Sequence, residues 1–167
     1  YIFLLIFSFL FICFSITVGC CFFKAFVRRR VNNTGDINSK KNEFLGDYRP
    51  LVAKGMEFID TYPKEEIIIK SFDNLRLYGR FMKPKTNSNK VIILFHGYRS
   101  SAKRDFSLAV KIYLEMGLNV LLVDQRAHGN SEGKLITFGV KESRDVISWI
   151  DYVSINKPQI TDIIIGG

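Results

Sequence analysis

Hydrophobic and polar residues divide the chain into three regions. Residues 1–23 carry no charged side chain, residues 31–41 are rich in Asn, Ser, Gly and Lys, and short apolar runs alternate with polar stretches from residue 44 onward. A helix over the first region would be about 34 Å long, enough for a hydrocarbon core of about 30 Å. We predict a transmembrane helix at 1–27, a basic juxtamembrane stalk at 28–43 and an α/β domain at 44–167.

A cleaved signal peptide is the alternative for the first region. It is the weaker interpretation, because the apolar stretch of a signal peptide usually has only about 7 to 15 residues. The chain's three cysteines, Cys13, Cys20 and Cys21, all lie in this region. The domain therefore has no thiol for a disulfide, for thiol catalysis or for zinc. Cys20 and Cys21 are expected to serve as ordinary apolar residues of this helix, and acylation of either is the less favoured alternative.

A basic cluster follows the apolar region and consists of Lys24, Arg28, Arg29 and Arg30. Each such residue contributes about 1 kcal/mol of attraction to anionic lipid, and the cluster favours the cytosolic side of a membrane. We therefore expect membrane lipid as a partner and a single-pass protein with a cytosolic domain. No aromatic or basic stripe continues the cluster, so nucleic acid is not an expected partner.

The pattern of the third region predicts alternating strands and helices. Residues 91–95 are uniformly apolar, as in a strand covered on both faces, and residues 75–82 alternate. The predicted elements are a helix within 44–62, strands at 66–71 and 75–82, a strand at 91–95, a helix from Ser100 or Ser101 to Gly117, a strand at 120–123, a helix at 138–153 and a buried strand at 163–165. Asp73 and Asn74 are suited to a tight hairpin between the first two strands. This order predicts an α/β sheet with parallel crossovers.

Two loops carry the chemistry of the domain. His96, Gly97 and Tyr98 follow the strand at 91–95, and the segment DQRAHGNSEG, residues 124–133, follows the strand at 120–123. With this element order, the chain from residue 44 resembles the N-terminal half of an α/β-hydrolase: an antiparallel hairpin, then parallel strands with crossover helices, here preceded by one transmembrane helix. Within that superfamily it is similar to membrane-anchored bacterial serine hydrolases of the serine aminopeptidase and Bem46-like families.

The resemblance implies acyl transfer to water by a Ser, Asp and His triad, without a cofactor or metal, on a small ester, thioester or amide substrate. The Ser of this family lies on a G-x-S-x-G turn directly after the fifth strand. Gly166 or Gly167 is then expected to begin that turn, and the triad is expected beyond residue 167, so that this chain is an inactive fragment. The backbone amide of Tyr98 is the expected oxyanion donor. The expected loop scaffold is His96, Gly97, Asp124, Arg126, His128 and Gly129.

Residues 129–133 also match G-x-S-x-G and would nominate Ser131 as a nucleophile. Five residues separate Gly129 from the preceding strand, and Glu132 would repel a developing oxyanion, so we expect Ser131 to bond the turn instead. Other readings stay open: Tyr98 as a packing residue, His96 or His128 as a base, and Asp124 or Arg126 as substrate contacts. For the whole protein, the alternative is a non-catalytic, membrane-tethered interaction module. A nucleotide-binding domain is disfavoured, because no G-x-G-x-x-G follows a strand.

Overall fold

The computed structural model describes residues 1–27 and 45–167. The predicted stalk at 28–43, including Arg28, Arg29 and Arg30, lies outside the described residues. The elements in chain order are α1 (Ile2–Phe26), α2 (Arg49–Thr61), β1 (Glu65–Lys70), β2 (Arg76–Met82), β3 (Lys90–Phe95), α3 (Ala102–Asp105), α4 (Val110–Glu115), β4 (Asn119–Asp124), α5 (Glu142–Asn156) and β5 (Asp162–Gly166).

The five strands form one mixed sheet in the order β1-β2-β4-β3-β5. β1 and β2 form the predicted antiparallel hairpin, whose turn places Asn74 at a φ of 64° and bonds the Ser71 amide to the Leu75 carbonyl at 2.9 Å. β2 pairs antiparallel with β4, while β3 pairs parallel with both β4 and β5. The predicted fold class, a hairpin followed by parallel strands with crossover helices, is confirmed.

Alternate residues of the central strands enter two separate cores. Val91 and Ile93 of β3 face the core beneath α5, which includes Trp149, whereas Ile92 and Leu94 face the core beneath α2 and α4. Successive side chains of a strand point to opposite faces, so an uninterrupted apolar run is what a doubly covered strand requires. All six residues of β4 are buried for the same reason.

The helix expected from Ser101 to Gly117 is divided in two, which corrects the prediction. Of the two expected caps, Ser100 and Ser101, the second caps α3, and Gly117 ends α4 at a φ of +78° as expected, but the helix is interrupted between α3 and α4. Two contacts explain the interruption. The Ser107 hydroxyl donates to the Arg104 carbonyl at 2.9 Å, and α2 comes so near that a Cβ on Gly55 would lie 2.2 Å from the Ser107 carbonyl oxygen.

The strand at 163–165 is also corrected. The sequence predicts a buried strand, whereas Ile164 is 43% and Ile165 is 52% exposed in the structure. β5 lies at the end of the sheet and pairs only with β3 among the described strands, so one of its edges has no strand beside it. Burial of an isoleucine run depends on a neighbouring strand or helix as well as on composition.

α1 is long and apolar enough to cross a membrane, judged by its length and composition. Its most apolar window has a mean hydropathy of 2.6, and none of its residues in that window is buried against the domain. Exposed phenylalanine, leucine and isoleucine side chains cover its whole circumference. A helix that is apolar all round requires an apolar environment, which lipid provides. The last turn contains Lys24 and ends beside the loops that follow β3 and β4.

Candidate functional site

The loops singled out in the sequence meet at the carboxyl edge of the parallel strands. In the register of β3 and β5, Leu94 is level with Gly166, so Gly167 lies beside Phe95. A Cβ built on Gly167 would be 3.1 Å from the Phe95 carbonyl oxygen. The chain therefore leaves β5 next to the segment that begins at His96. In open α/β sheets, ligands bind at this edge of the strands.

His96 holds the two loops together and is buried. Its Nδ1 lies 2.9 Å from the Gly97 carbonyl oxygen, and its Nε2 accepts a hydrogen bond from the Gln125 amide at 3.2 Å. These partners assign the proton to Nδ1. Burial lowers the pKa of the imidazole below its ordinary value, because the charged form is poorly solvated inside the protein. His96 is thus a neutral bridge between the loops after β3 and β4.

His128 packs against His96 from the second loop. The two rings meet edge to face with 4.7 Å between their centroids, and His128 Nδ1 lies 2.9 Å from the Arg126 carbonyl oxygen. Both histidines are almost fully buried. The arrangement is that of a structural histidine pair, because both rings bond loop backbone and neither is presented at the surface.

Asp105 fixes the turn that contains Gly97, a role that the sequence reading missed. Its carboxylate accepts hydrogen bonds from the Gly97 amide at 3.0 Å and from the Ser100 hydroxyl. The Ser100 amide bonds back to the Gly97 carbonyl at 3.2 Å. Among the described residues none accepts a hydrogen bond from the Tyr98 amide. The only indication in the sequence was an aspartate in the first turn of a helix capped by Ser101. Such aspartates are too common for the pattern to assign this role to Asp105.

Arg126 is the centre of a buried ion network. Its guanidinium makes two bonds to Asp145, at 2.6 and 2.7 Å, and two to Asp73, at 3.0 and 3.1 Å. The Arg126 side chain is 2% exposed. This geometry matches the ion-pair scaffold expected for Arg126, but the sequence did not identify Asp73 or Asp145 as its partners. The network ties the hairpin, the second loop and α5 together.

The charges of this network depend on one another. The hydrogen bond from Arg126 holds the pKa of the Asp73 carboxyl well below its usual range. Burial by itself would lower the pKa of the Arg126 guanidinium, but the bonds to Asp145 and Asp73 raise it above its ordinary value. Burial raises the pKa of the Asp145 carboxyl, and the bonds from Arg126 oppose that rise. A buried guanidinium is stable only while its carboxylates stay in place.

Asp124 and Gly129 shape the start of the second loop. One oxygen of the Asp124 carboxylate accepts from the Asn130 amide at 3.1 Å, and the other pairs with Arg80 at 3.2 Å. Gly129 has a φ of +47°, and a Cβ there would lie 2.3 Å from the nearer Asp124 oxygen. A side chain at residue 129 would therefore collide with the carboxylate. In this geometry the Asp124 carboxylate bonds the Asn130 amide and the Arg80 guanidinium.

Ser131 bonds the second loop to β2. Its hydroxyl accepts from the Tyr78 amide at 2.8 Å and donates to the Asp124 carbonyl, and the residue is 1% exposed. The neighbouring Glu132 accepts from the Arg76 amide at 2.9 Å and from its guanidinium at 2.8 Å. Ser131 thus has the turn-bonding role predicted from the sequence, and both hydrogen-bonding functions of its hydroxyl are occupied.

A cleft of about 560 Å³ opens beside the first loop. Its floor is formed by Gly97 and Tyr98, and the rest of its lining is Leu45, Tyr48, Val52, Ser100, Arg104, Asp105, Ser107 and Leu108. The cleft combines an apolar wall with a few polar groups, the composition typical of small-molecule sites. In the described parts of the chain, no cluster of three or more His, Cys, Asp or Glu side chains is arranged to hold a metal ion.

Solved structures similar to this chain include esterases and α/β-hydrolases. An esterase of Pyrococcus furiosus is 32% identical, with a TM-score of 0.58, over 66% of this chain and 42% of its own. Est1E of Butyrivibrio proteoclasticus, whose structure holds ferulic acid, is 27% identical, with a TM-score of 0.53, over 60% of this chain and 41% of its own. An α/β-hydrolase of Vibrio vulnificus is 22% identical, with a TM-score of 0.55, over 76% and 47%.

A curated relative covers less of the chain. The Bacillus subtilis protein named uncharacterized protein YqkD is 29% identical over 90 residues, which are 54% of this chain and 29% of that protein. No protein-family model matches the chain. The chain thus spans less than half the length of the proteins it resembles. Its fold is hydrolase-like, and esterases are among its structural neighbours.

Proposed function

We propose that this chain, with its hydrolase-like fold, is the N-terminal part of a membrane-anchored serine hydrolase that cleaves an ester, thioester or amide through an acyl-enzyme. The similarity to the serine aminopeptidase and Bem46-like families belongs to this proposal. So does the assignment of α1 as the anchor, which rests on its length and composition. The observation that carries the proposal is the parallel register that places Gly167 beside Phe95.

That register determines where a nucleophile would lie. Residues that follow Gly167 in the whole protein would run next to His96, Gly97 and Tyr98, because β3 and β5 are parallel neighbours. A serine on a tight turn at this point would have its hydroxyl beside the Tyr98 amide. The proposal assigns the nucleophile, the acid and the histidine to residues of the whole protein beyond residue 167.

In this proposal the first loop supplies a hydrogen-bond donor to the oxyanion. Asp105 accepts from the Gly97 amide and His96 bonds the Gly97 carbonyl, so the turn is fixed and the next amide, that of Tyr98, has no described acceptor. An amide fixed before the reaction stabilises the developing negative charge without reorganisation, and one such donor contributes about 3 kcal/mol to the transition state. Deacylation by water would then return the serine hydroxyl and release the acid.

Labelling with a fluorophosphonate tests the proposal. We expect the whole protein to be labelled at a serine that follows Gly167, and the 167-residue chain to remain unlabelled. Ser131→Ala is the control, because that serine matches the same pattern but bonds Tyr78 and Asp124. Its label should equal that of the unaltered protein per folded molecule. Label on Ser131, or a folded whole protein that takes no label, would overturn the proposal, and the second result would favour a non-catalytic tethered module.

A further inference from the structure

The last turn of α1 contacts the loops at the carboxyl edge of the sheet. The Tyr98 hydroxyl donates to the Ala25 carbonyl at 2.9 Å, and the Ile136 amide donates to the Phe26 carbonyl at 2.7 Å. Val27 forms a bridge with Leu135 in the same region. The apolar helix therefore ends against the first loop and against the segment that leads into α5, on the side where the acyl site is proposed.

The length of α1 sets the depth of these contacts. Its 25 residues extend about 37 Å at ~1.5 Å per residue, whereas the hydrocarbon core of a bilayer is about 30 Å thick. Lys24 is the first charged residue of the chain, and a lysine near the end of a spanning helix lies at the level of the lipid headgroups. A spanning α1 would hold Tyr98, one hydrogen bond from Ala25, at that same level.

The surface around this contact has the composition of a membrane interface. We call Tyr98, Leu135, Phe138 and Val140 the anchor patch; they are 50%, 52%, 56% and 76% exposed. The ring of Phe138 stacks on Tyr98 with 5.2 Å between centroids and meets Phe26 edge-on at 5.1 Å. Aromatic side chains concentrate where acyl chains meet headgroups.

Positive charges border the anchor patch. Arg99 lies over the Tyr98 ring at 5.3 Å and donates to the Lys24 carbonyl, and Lys134 precedes the segment that carries the rest of the patch. Lys141 follows that segment and pairs with Asp73 at 3.3 Å. Exposed apolar side chains bordered by arginine and lysine favour binding to an anionic lipid surface. The burial of apolar area in the lipid and the attraction between opposite charges both stabilise the bound state.

We propose that the anchor patch lies in the headgroup region of the bilayer that holds α1, so that the acyl site opens onto the membrane and takes an acyl ester carried by a lipid. The ester carbonyls of a glycerolipid lie between headgroups and acyl chains, which is the depth that α1 imposes on Tyr98. This inference rests on the proposed anchor and hydrolase activity. It adds the surface on which the domain lies and the class of substrate.

Fluorescence quenching locates the patch relative to the membrane. The whole protein, with Cys13, Cys20, Cys21 and any cysteine beyond residue 167 changed to Ala, receives one fluorophore at Val140→Cys or at Ile155→Cys, in vesicles of phosphatidylcholine and phosphatidylglycerol. The two positions are matched, since each is 76% exposed. Ile155 lies at the far end of α5, about 20 Å away along a helix of this length. We expect a nitroxide at the lipid headgroup to quench the Val140 fluorophore several-fold more strongly.

Equal quenching at the two positions, in protein that floats with the vesicles, would overturn the inference while leaving the anchor intact. That result would be expected if another part of the whole protein, or a partner, covered the anchor patch. Protein that does not float with the vesicles would overturn the anchor, and the inference with it.

Substrate preference provides the second test. Val140→Asp places a charge in the anchor patch next to the start of α5, where an acidic residue favours the helix, and Ile155→Asp is the control. We expect Val140→Asp to lower hydrolysis of a vesicle-borne glycerolipid ester about tenfold. That is the effect on binding of losing one apolar side chain that lipid would otherwise bury. Hydrolysis of a soluble p-nitrophenyl ester should stay unchanged. If Val140→Asp left the ratio of the vesicle-borne rate to the soluble rate equal to that of the unaltered protein, the inference would be overturned. If the unaltered whole protein hydrolysed neither ester, the proposed function would be overturned instead.

Discussion

Replacing Asp145 by alanine is expected to destabilise the protein by about 3 to 5 kcal/mol. The Arg126 side chain is 2% exposed, so water cannot replace the two hydrogen bonds that Asp145 accepts. Loss of one partner of a buried ion pair leaves a poorly solvated charge, which costs more than the pair itself contributes. Asp73 remains in the variant and reduces the cost without removing it, because it bonds Nη1 and Nη2 of the guanidinium but not Nε.

Asp73→Ala is the internal comparison. The Asp73 side chain is 26% exposed and also meets Lys141, so water can enter when its carboxylate is removed. A hydrogen bond to a charged group contributes about 1.5 to 3 kcal/mol, and the exposure of this site reduces the expected loss to the lower end of that range or slightly below it, at about 1 to 2 kcal/mol. The structure therefore predicts the order of the two effects as well as their sizes.

The measurement is guanidinium denaturation of the protein in detergent, followed by the fluorescence of Trp149. This residue is the single tryptophan of the chain, is 0% exposed and lies one helical turn after Asp145 on α5. The double variant Arg126→Met with Asp145→Leu should recover most of the lost stability, since it removes the buried charge together with its buried partner and leaves the partly exposed Asp73 paired with Lys141. A loss below about 1 kcal/mol for Asp145→Ala, or a larger loss for Asp73→Ala, would refute this account of the network.

Two further predictions concern the loops. Gly129→Ala should cost about 2 to 4 kcal/mol, because φ is +47° and the new Cβ would meet the Asp124 carboxylate; a denaturation midpoint equal to that of the unaltered protein would contradict it. Burial lowers the pKa of His96 in the folded state, so the unfolded chain binds the proton first as the pH falls below about 6.5. Stability should therefore decrease from pH 7 toward pH 5, and His96→Gln should reduce that slope in denaturation curves measured at each pH; an undiminished slope would exclude His96 as its source.

Local patterns in the sequence were sufficient for most of the fold. The apolar runs of β3 and β4, the alternation in β2 and the turn at Asn74 each depend on residues close in sequence, and each predicted element is present. Where a prediction failed, a distant residue decided the outcome. Gly55 of α2 approaches Ser107 and the helix is divided there, and β5 stays exposed because no described strand covers its outer edge.

The candidate site divides in the same way. The sequence by itself determined that the loops after β3 and β4 are rich in polar and glycine residues, because those residues are contiguous in the chain. Only the tertiary structure decided which side chains meet: Arg126 bonds carboxylates 53 residues before it and 19 after it, and Asp105 holds Gly97 across a turn. The tertiary structure also brings the last turn of α1 into contact with Tyr98, which lies 73 residues after Ala25. Such pairings depend on how helices and strands pack, and a chain pattern records only near neighbours.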